Sequence, residues 1–252
     1  MFLSRPFLDY IPQRIISLVP SQTELLYSLG LEKETVAITK FCVHPSAWFQ
    51  SKKRIGGTKQ LHIEEIKSLQ PDLIIANKEE NVKEQIEELA ISFPVWLTDV
   101  NNYTDALNMI SDVGKLTGKT EGAERVINDI KTAFNTIPAY NKIPAAYLIW
   151  KDPFMATGGG TFINDMLGIC GFENVFADLQ RYPEVTAEDI RKSGARVLLL
   201  SSEPYPYAKE HMISMQSIFP GIKIICVDGE MFSWYGSRME QAASYFNELV
   251  FK

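Results

Sequence analysis

Two stretches of this 252-residue chain repeat one another at a fixed spacing, and that repeat limits the folds open to it. "HIEEIKSLQPDLIIANKEE" begins at His62, and "TAEDIRKSGARVLLLSSEP" aligns on it without a gap from Thr186, 124 positions later. Each copy reads as a helix followed by a buried strand. Glu64, Glu65, Ile66 and Lys67 face Glu188, Asp189, Ile190 and Arg191, and the triplet Leu73, Ile74, Ile75 faces Val197, Leu198, Leu199. Short apolar runs bounded by turn residues suit strands of a parallel sheet covered on both faces. Downstream, "FPVWLTD" from Phe93 and "FPGIKIICVD" from Phe219 repeat a Phe-Pro turn, a strand and a terminal aspartate. The expected architecture is α/β, with one largely parallel sheet in each of two related lobes.

Between the copies lies "TEGAERVINDIKTAFNTIP", in which Ala123, Val126, Ile127, Ile130, Ala133, Phe134 and Ile137 share one face at the 3.6-residue period. At 1.5 Å per residue a helix from Lys119 to Ile137 would span roughly 28 Å, and Pro138 and Pro144 end it. The expected division is therefore a first lobe over residues 1–117, a connecting helix over 118–138 and a second lobe over 139–252. Near the start, "RIISLVPSQTELLYSLGL" reads strand, turn, helix. Ser21 and Glu24 have the spacing of a capping box, and Gly30 suits the left-handed residue past a helix end. A helix N-terminus beside a strand's carboxyl end is where open α/β sheets place ligands.

A formal charge of −6 with no Lys/Arg run argues against nucleic-acid binding and leaves small molecules or proteins as partners. Cys42, Cys170 and Cys226 are far apart and lack C-x-x-C spacing, so they are expected as reduced packing residues rather than a disulfide or zinc framework. "MFLSRPFLDYIPQR" is interrupted by Arg5, Pro6, Asp9 and Pro12 and does not read as a signal peptide, so Met1 as a native start would imply a cytoplasmic protein. No apolar run is long enough to span a membrane, and any membrane association is expected to be peripheral. G-x-S-x-G, Walker and H-E-x-x-H motifs are absent. "TGGGTF", from Thr157 to Phe162, puts glycine amides ahead of a helix. Such amides could cradle a phosphate and keep open a nucleotide-dependent enzyme.

Taken together, "RIISLVPSQTELLYSLGL", "KRIGGTKQLHIEEIKSLQPDLIIA", the central helix, "TFINDMLGICGFENVFAD" and "RYPEVTAEDI" resemble the class III substrate-binding proteins of ABC importers. That group captures cobalamin, haem and iron siderophores, and the resemblance covers nearly the whole chain. It implies a non-enzymatic monomer with two lobes joined by a backbone helix, periplasmic in setting. It also implies a shallow cleft for a cobalt or iron chelate, no cofactor of its own, and an ABC permease as partner. A corrinoid or metal-chelate carrier working inside the cell is the alternative.

The strand-end loops would line that cleft: Pro20 and Ser21, Phe41 and His44, Lys59, Asn77 and Lys78, Trp150 and Lys151, Tyr205 and Tyr207. In "DGEMFSWYGSR", Phe232, Trp234, Tyr235 and Arg238 would either cover the ligand or, for the rings, fill the core beneath the C-terminal helix. His44, with Tyr235 as alternative, could complete the coordination of a haem iron or cobalt, or His44 could be a hydrogen-bonded loop residue. Lys59, Lys78, Lys151 and Arg238 would suit an anionic chelate, or be solvated surface charge. Asn77 stands where the cobalamin-binding branch carries a tryptophan, which argues against cobalamin itself. Docking on the permease would use one acid per lobe, with Glu79 and Glu203 at matching positions and Glu80 and Glu84 as neighbours.

Overall fold

The apolar runs form strands because their β-branched side chains suit a pleated surface covered on both sides. The computed structural model describes residues 1–139 and 141–249. The first half of the chain runs β1 (Ile15–Ser17), α1 (Pro20–Ser28), β2 (Thr35–Ile38), α2 (Ser46–Ser51), β3 (Lys53–Arg54), β4 (Gly56–Gly57), β5 (Gln60–Leu61), α3 (Ile63–Ser68), β6 (Leu73–Asn77), α4 (Lys83–Ser92), β7 (Val95–Thr98), α5 (Tyr103–Thr117) and α6 (Thr120–Phe134). The second half runs β8 (Ile143–Trp150), β9 (Met155–Ala156), α7 (Phe162–Ile169), β10 (Phe172–Asn174), α8 (Ala187–Lys192), β11 (Val197–Ser201), α9 (Lys209–Ile218), β12 (Lys223–Val227), α10 (Gly229–Ser233) and α11 (Met239–Leu249). None of the described helices is long and apolar enough to cross a membrane.

The chain forms two compact units. One holds Met1–Val100, Thr104–Lys131 and Trp234–Arg238; the other holds Asn101–Tyr103, Thr132–Ser233 and the chain from Met239 onward. In the first unit the strands lie β3-β2-β1-β6-β7, all parallel. In the second they lie β10-β8-β11-β12, also parallel, with β9 antiparallel on β8. The repeat is structural as well as sequential, because α3 and β6 recur 124 positions later as α8 and β11 with matching ends. On one face of the first sheet Ile16, Leu18, Ile74 and Ala76 pack against Ile66 of α3 and Ile86 and Leu89 of α4. The same face of the second sheet packs Ala146, Leu148, Leu198 and Leu200 against Ile190 of α8 and Met215 of α9.

Two expectations change. The helix expected over 118–138 is α6, which ends earlier, at Phe134, and a further helix, α5, precedes it, set off by Gly118, whose φ of +68° is a left-handed break in the helical path. At 15 residues α6 is roughly 22 Å long, and it begins in the first unit and ends in the second. The Ser21/Glu24 capping box does not form either. Helix α1 starts earlier than that box requires, with Pro20 in its first turn and Val19, not Ser21, as N-cap without a side-chain cap bond. Proline is favoured there because its missing N–H has no helical partner to lose. Gly30 does take the left-handed conformation after the helix, at φ +71°. A full capping box stands in the second copy instead, where Thr186 Oγ1 accepts from the Asp189 amide at 3.1 Å and Asp189 accepts from the Thr186 amide at 2.8 Å.

The "TGGGTF" loop is not an anion cradle. The amides of Gly158 and Gly159 donate to the carbonyls of Arg181 and Leu179 at 2.6 and 2.7 Å, and the Arg181 amide returns to Gly159 at 2.9 Å. The glycines are needed for close approach, since a Cβ on Gly159 would run into the Ala177 carbonyl oxygen. Gly159→Ala is expected to cost about 2 kcal/mol, lowering the melting temperature by about 4 to 8 °C. Gly168→Ala, in the interior of α7 with only the flexible Lys142 tip near, is expected to be neutral or stabilising in the same calorimetric comparison.

Candidate functional site

Parallel pairing collects the carboxyl ends of the strands along one edge of each sheet. In the first unit the chain leaves β1 in opposite directions towards β2 and β6, and in the second it leaves β8 towards β10 and β11. Such switch points open a crevice outside the strand ends and are where open α/β sheets bind ligands. The first unit's edge carries Pro20, Phe41, His44, Lys59 and Lys78; the second's carries Trp150, Lys151 and Tyr205.

In the first unit a buried asparagine ties the edge together. Asn81 accepts from the Asn77 amide at 2.9 Å and donates to the carbonyls of Leu18 and Thr58 at 3.3 and 3.1 Å, so one side chain joins the loops after β1, β4 and β6. Asn77 is itself buried. It accepts from the amides of Glu79 and Glu80 at 2.8 and 3.2 Å and donates to Thr98, so it supports the loop and cannot face a ligand as expected. Neither role was visible beforehand, because an asparagine that binds distant backbone leaves no periodic signal.

After β2 the loop is anchored by Cys42. Its buried thiol lies 3.1 Å from Thr23 Oγ1 and 3.2 Å from Thr39 Oγ1, and burial raises its pKa despite those bonds. Anchoring Cys42 turns its neighbours outward. Phe41 is 50% exposed, with the Lys40 ammonium 5.2 Å from its ring centre. Lys59 donates to the Glu79 carbonyl at 2.5 Å, and Lys78 pairs with Asp99 at 2.7 Å. All three cysteines are free. Among the described residues no group of three or more His, Cys, Asp and Glu side chains is placed to hold a metal ion.

The aromatic run at 228–238 divides. Phe232 is fully buried in the second unit, tilted against Tyr147 of β8 at 5.2 Å and Phe246 of α11 at 4.8 Å, so it is a core residue and not a ligand contact. Trp234, Tyr235 and Arg238 belong to the first unit. Arg238 is not a free cation, because its guanidinium makes a bidentate pair with Glu24 at 2.8 and 2.6 Å and the two side chains are only 8% and 16% exposed. The guanidinium also lies 5.0 Å from the Trp234 ring centre, and His44 meets the same ring edge-on at 5.5 Å. This also explains the missing capping box, since Glu24 is engaged with a residue 214 positions away. Tyr235 is buried beside α1. Burial pushes its phenol far above the ordinary value, Glu80 and Glu79 add to the shift, and hydrogen bonds with Gln22 and Ser21 oppose it. A tyrosinate metal ligand at this position is disfavoured.

In the second unit Trp150 ends β8 with 40% of its surface exposed. Tyr205, in the loop after β11, meets it edge-on at 5.6 Å. Tyr207 is buried rather than lining, and its hydroxyl donates to the Trp150 carbonyl at 2.9 Å, which fixes the loop and leaves Tyr205 and Trp150 as its outer rings. Lys151 is half-buried beside them. The two acids expected for docking are less free than their spacing suggests. Glu203 accepts from Ser233 at 2.6 Å, and Glu79 is half-buried with one carboxylate oxygen out of contact with solvent. A groove of about 760 Å³ in this unit, lined by Lys142, Pro144, Asp165, Phe172, Glu173 and Gly194 among others, lies towards the amino ends of β8 and β11.

Comparison with known proteins follows the same lines. A family model described as "Periplasmic binding protein" matches residues 15–216. The chain is 25% identical over 246 residues to the vitamin B12-binding protein of Pectobacterium carotovorum subsp. carotovorum (strain PC1), covering 92% of this chain and 86% of that one. Its fold matches a possible iron-binding (periplasmic solute-binding) protein of Staphylococcus epidermidis ATCC 12228 with a TM-score of 0.80 at 24% identity, over 96% of this chain and all of that one (100%). It also matches the periplasmic heme-binding protein of Roseiflexus sp. RS-1, with a TM-score of 0.80 at 21% identity over 94% of this chain and 98% of that one.

Removing one partner of the Glu24–Arg238 pair leaves a nearly buried charge, so Arg238→Met is expected to lower stability by about 3 to 5 kcal/mol in urea unfolding, with Glu24→Leu added to it recovering part of the loss. Tyr235 gives a pH signature. A phenol whose pKa is raised on folding binds its proton more tightly in the folded state, so stability is whole below about pH 10 and falls as pH rises beyond it. Tyr235→Phe is expected to make that alkaline fall shallower without abolishing it, because burial raises the pKa of Tyr147, Tyr207 and Tyr245 as well.

Proposed function

This chain belongs to the Periplasmic binding protein family, and on that premise we propose that it is the substrate-binding component of an ABC-type importer for a bulky metal chelate of the corrinoid, haem or ferric-siderophore class. The carrying observation is the exposed Trp150 at the switch point of the second sheet, with the half-buried Tyr205 edge-on against it. Rings held by their own backbone offer wide apolar faces at little entropic cost, which is what a flat, rigid ligand needs. Phe41 supplies a third face at the corresponding edge of the first unit. The names of the similar proteins, for vitamin B12, iron and heme, support the same ligand class.

A chelate brings most of its own metal ligands, so at most one protein donor is required, and His44 is the candidate that remains once Tyr235 is buried. Lys59 and Lys151 are the cations left to meet ligand acids, since Lys78 and Arg238 are paired with Asp99 and Glu24. Delivery would be to an ABC permease, in the periplasmic setting of the family.

The test is isothermal titration with cyanocobalamin, haemin and ferrichrome. One of them is expected to bind, and Trp150→Ala is expected to weaken it by about tenfold, or about 1.4 kcal/mol, without lowering the melting temperature. Binding by none of the three, or full binding by the Trp150→Ala variant, would contradict the reading.

A further inference from the structure

Two glycines stand together in β4, and only one of them serves the backbone. Gly56 is left-handed at φ +96°, and a Cβ on it would run into the Gln60 carbonyl oxygen across the β4–β5 hairpin. Gly57 has no such need. Its φ lies outside the left-handed region, and the atoms nearest a Cβ built on it are Phe41 Cε2 at 3.0 Å, Lys40 Cε at 3.1 Å and Phe41 Cδ2 at 3.7 Å. All of them belong to two side chains of the loop after β2. Gly57 is therefore a bare, buried patch of hairpin backbone on which a ring and a lysine stem lie side by side. The chain beneath those side chains is fixed, because the Lys40 amide donates to the Gly56 carbonyl at 2.8 Å and Cys42 is held by Thr23 and Thr39. The tips are not. Phe41 is 50% exposed, the Lys40 ammonium lies 5.2 Å from its ring centre, and no acid pairs with that ammonium among the described residues.

We propose that Lys40 and Phe41 form one recognition element of the chelate site, the ring meeting a flat ligand and the ammonium an acidic group at that ligand's edge, and that Gly57 is the residue that positions it. This rests on the chelate-binding reading of the strand ends. A ring and an unpaired cation held side by side suit a planar conjugated chelate that carries carboxylates, because such a ligand offers a π surface and a negative rim close together. A rounded chelate wrapped in neutral amides would use neither. Both neighbours of Gly57 are the free ends of exposed side chains, so a methyl group added there is accommodated by displacing them and not the backbone. The cost then falls on the ligand face and not on the fold, which separates a positioning role from a structural one.

The experiment reads the ligand-free protein first. In protein carrying isotope-labelled phenylalanine, the Phe41 ring resonances are identified by their loss in Phe41→Leu. They are expected to shift in Gly57→Ala with the melting temperature unchanged to within about 2 °C, whereas Gly56→Ala is expected to lower that temperature. Unshifted Phe41 signals in Gly57→Ala would overturn the positioning role whatever the ligand. Affinity is then measured by titration with haemin and with haemin dimethyl ester, which has the same flat ring and no free carboxylate. Phe41→Leu and Gly57→Ala are each expected to weaken haemin about fivefold, and their losses to overlap in the double variant instead of multiplying, because the methyl acts through the ring. Lys40→Met is expected to weaken haemin about tenfold and the ester not at all. Full affinity in Phe41→Leu, or an equal loss for haemin and its ester in Lys40→Met, would overturn the recognition role. Binding of cyanocobalamin or ferrichrome without haemin would overturn the flat, acidic assignment and leave the chelate reading standing. Binding of none of the three would overturn the recognition element and the chelate reading together, with the Phe41 signals still deciding what Gly57 does.

Discussion

Parallel strand pairing is the constraint from which the rest follows. A parallel neighbour can be reached only through a crossover, so each sheet of this chain sends its strands the same way and gathers their carboxyl ends on one edge. Those ends carry unpaired backbone groups, and the molecule answers them with a small set of buried polar side chains. Asn81 and Asn77 do so in the first unit, and the hydroxyl of Tyr207 does so in the second. Because these groups hold the loops from within, the large side chains Phe41 and Trp150 are turned outward, with the half-buried Tyr205 edge-on to Trp150. Support and display are thus divided between neighbouring residues in the same loops.

That division explains what could be read from the sequence. The 124-residue repeat located α3 with β6 and α8 with β11, because helix and strand periodicity is a local property. The strand-end rule picked out Trp150 and Phe41, which are exposed, and Tyr205, which is half-buried, for the same reason. It could not say which neighbour would turn inward, and it counted Asn77, Tyr207 and Phe232 as lining when each is buried. Inward or outward is decided by hydrogen bonds to residues far away in the chain. The bond from Asn77 reaches Thr98, and that from Tyr207 reaches Trp150.

Arg238 and Trp234 illustrate the other limit. Their composition suggested a cationic, aromatic rim, and the residue types were right for one. Glu24, 214 positions earlier, takes the guanidinium instead, and the same choice removes the glutamate from the capping box that the S-x-x-E spacing promised. Desolvating a bidentate pair beside an indole ring is favourable only because both bonds are made together. A pairing of that range follows from the fold and cannot be found before it.

The central claim is that the outward rings at the strand ends are the ligand face. Anomalous diffraction at the cobalt or iron edge, from crystals of the protein grown with the bound chelate, tests it most directly. The account predicts a metal peak at the carboxyl ends of β8 and β11, beside Trp150 and Tyr205. A peak in the groove between Lys142 and Glu173, at the opposite end of those strands, would contradict it.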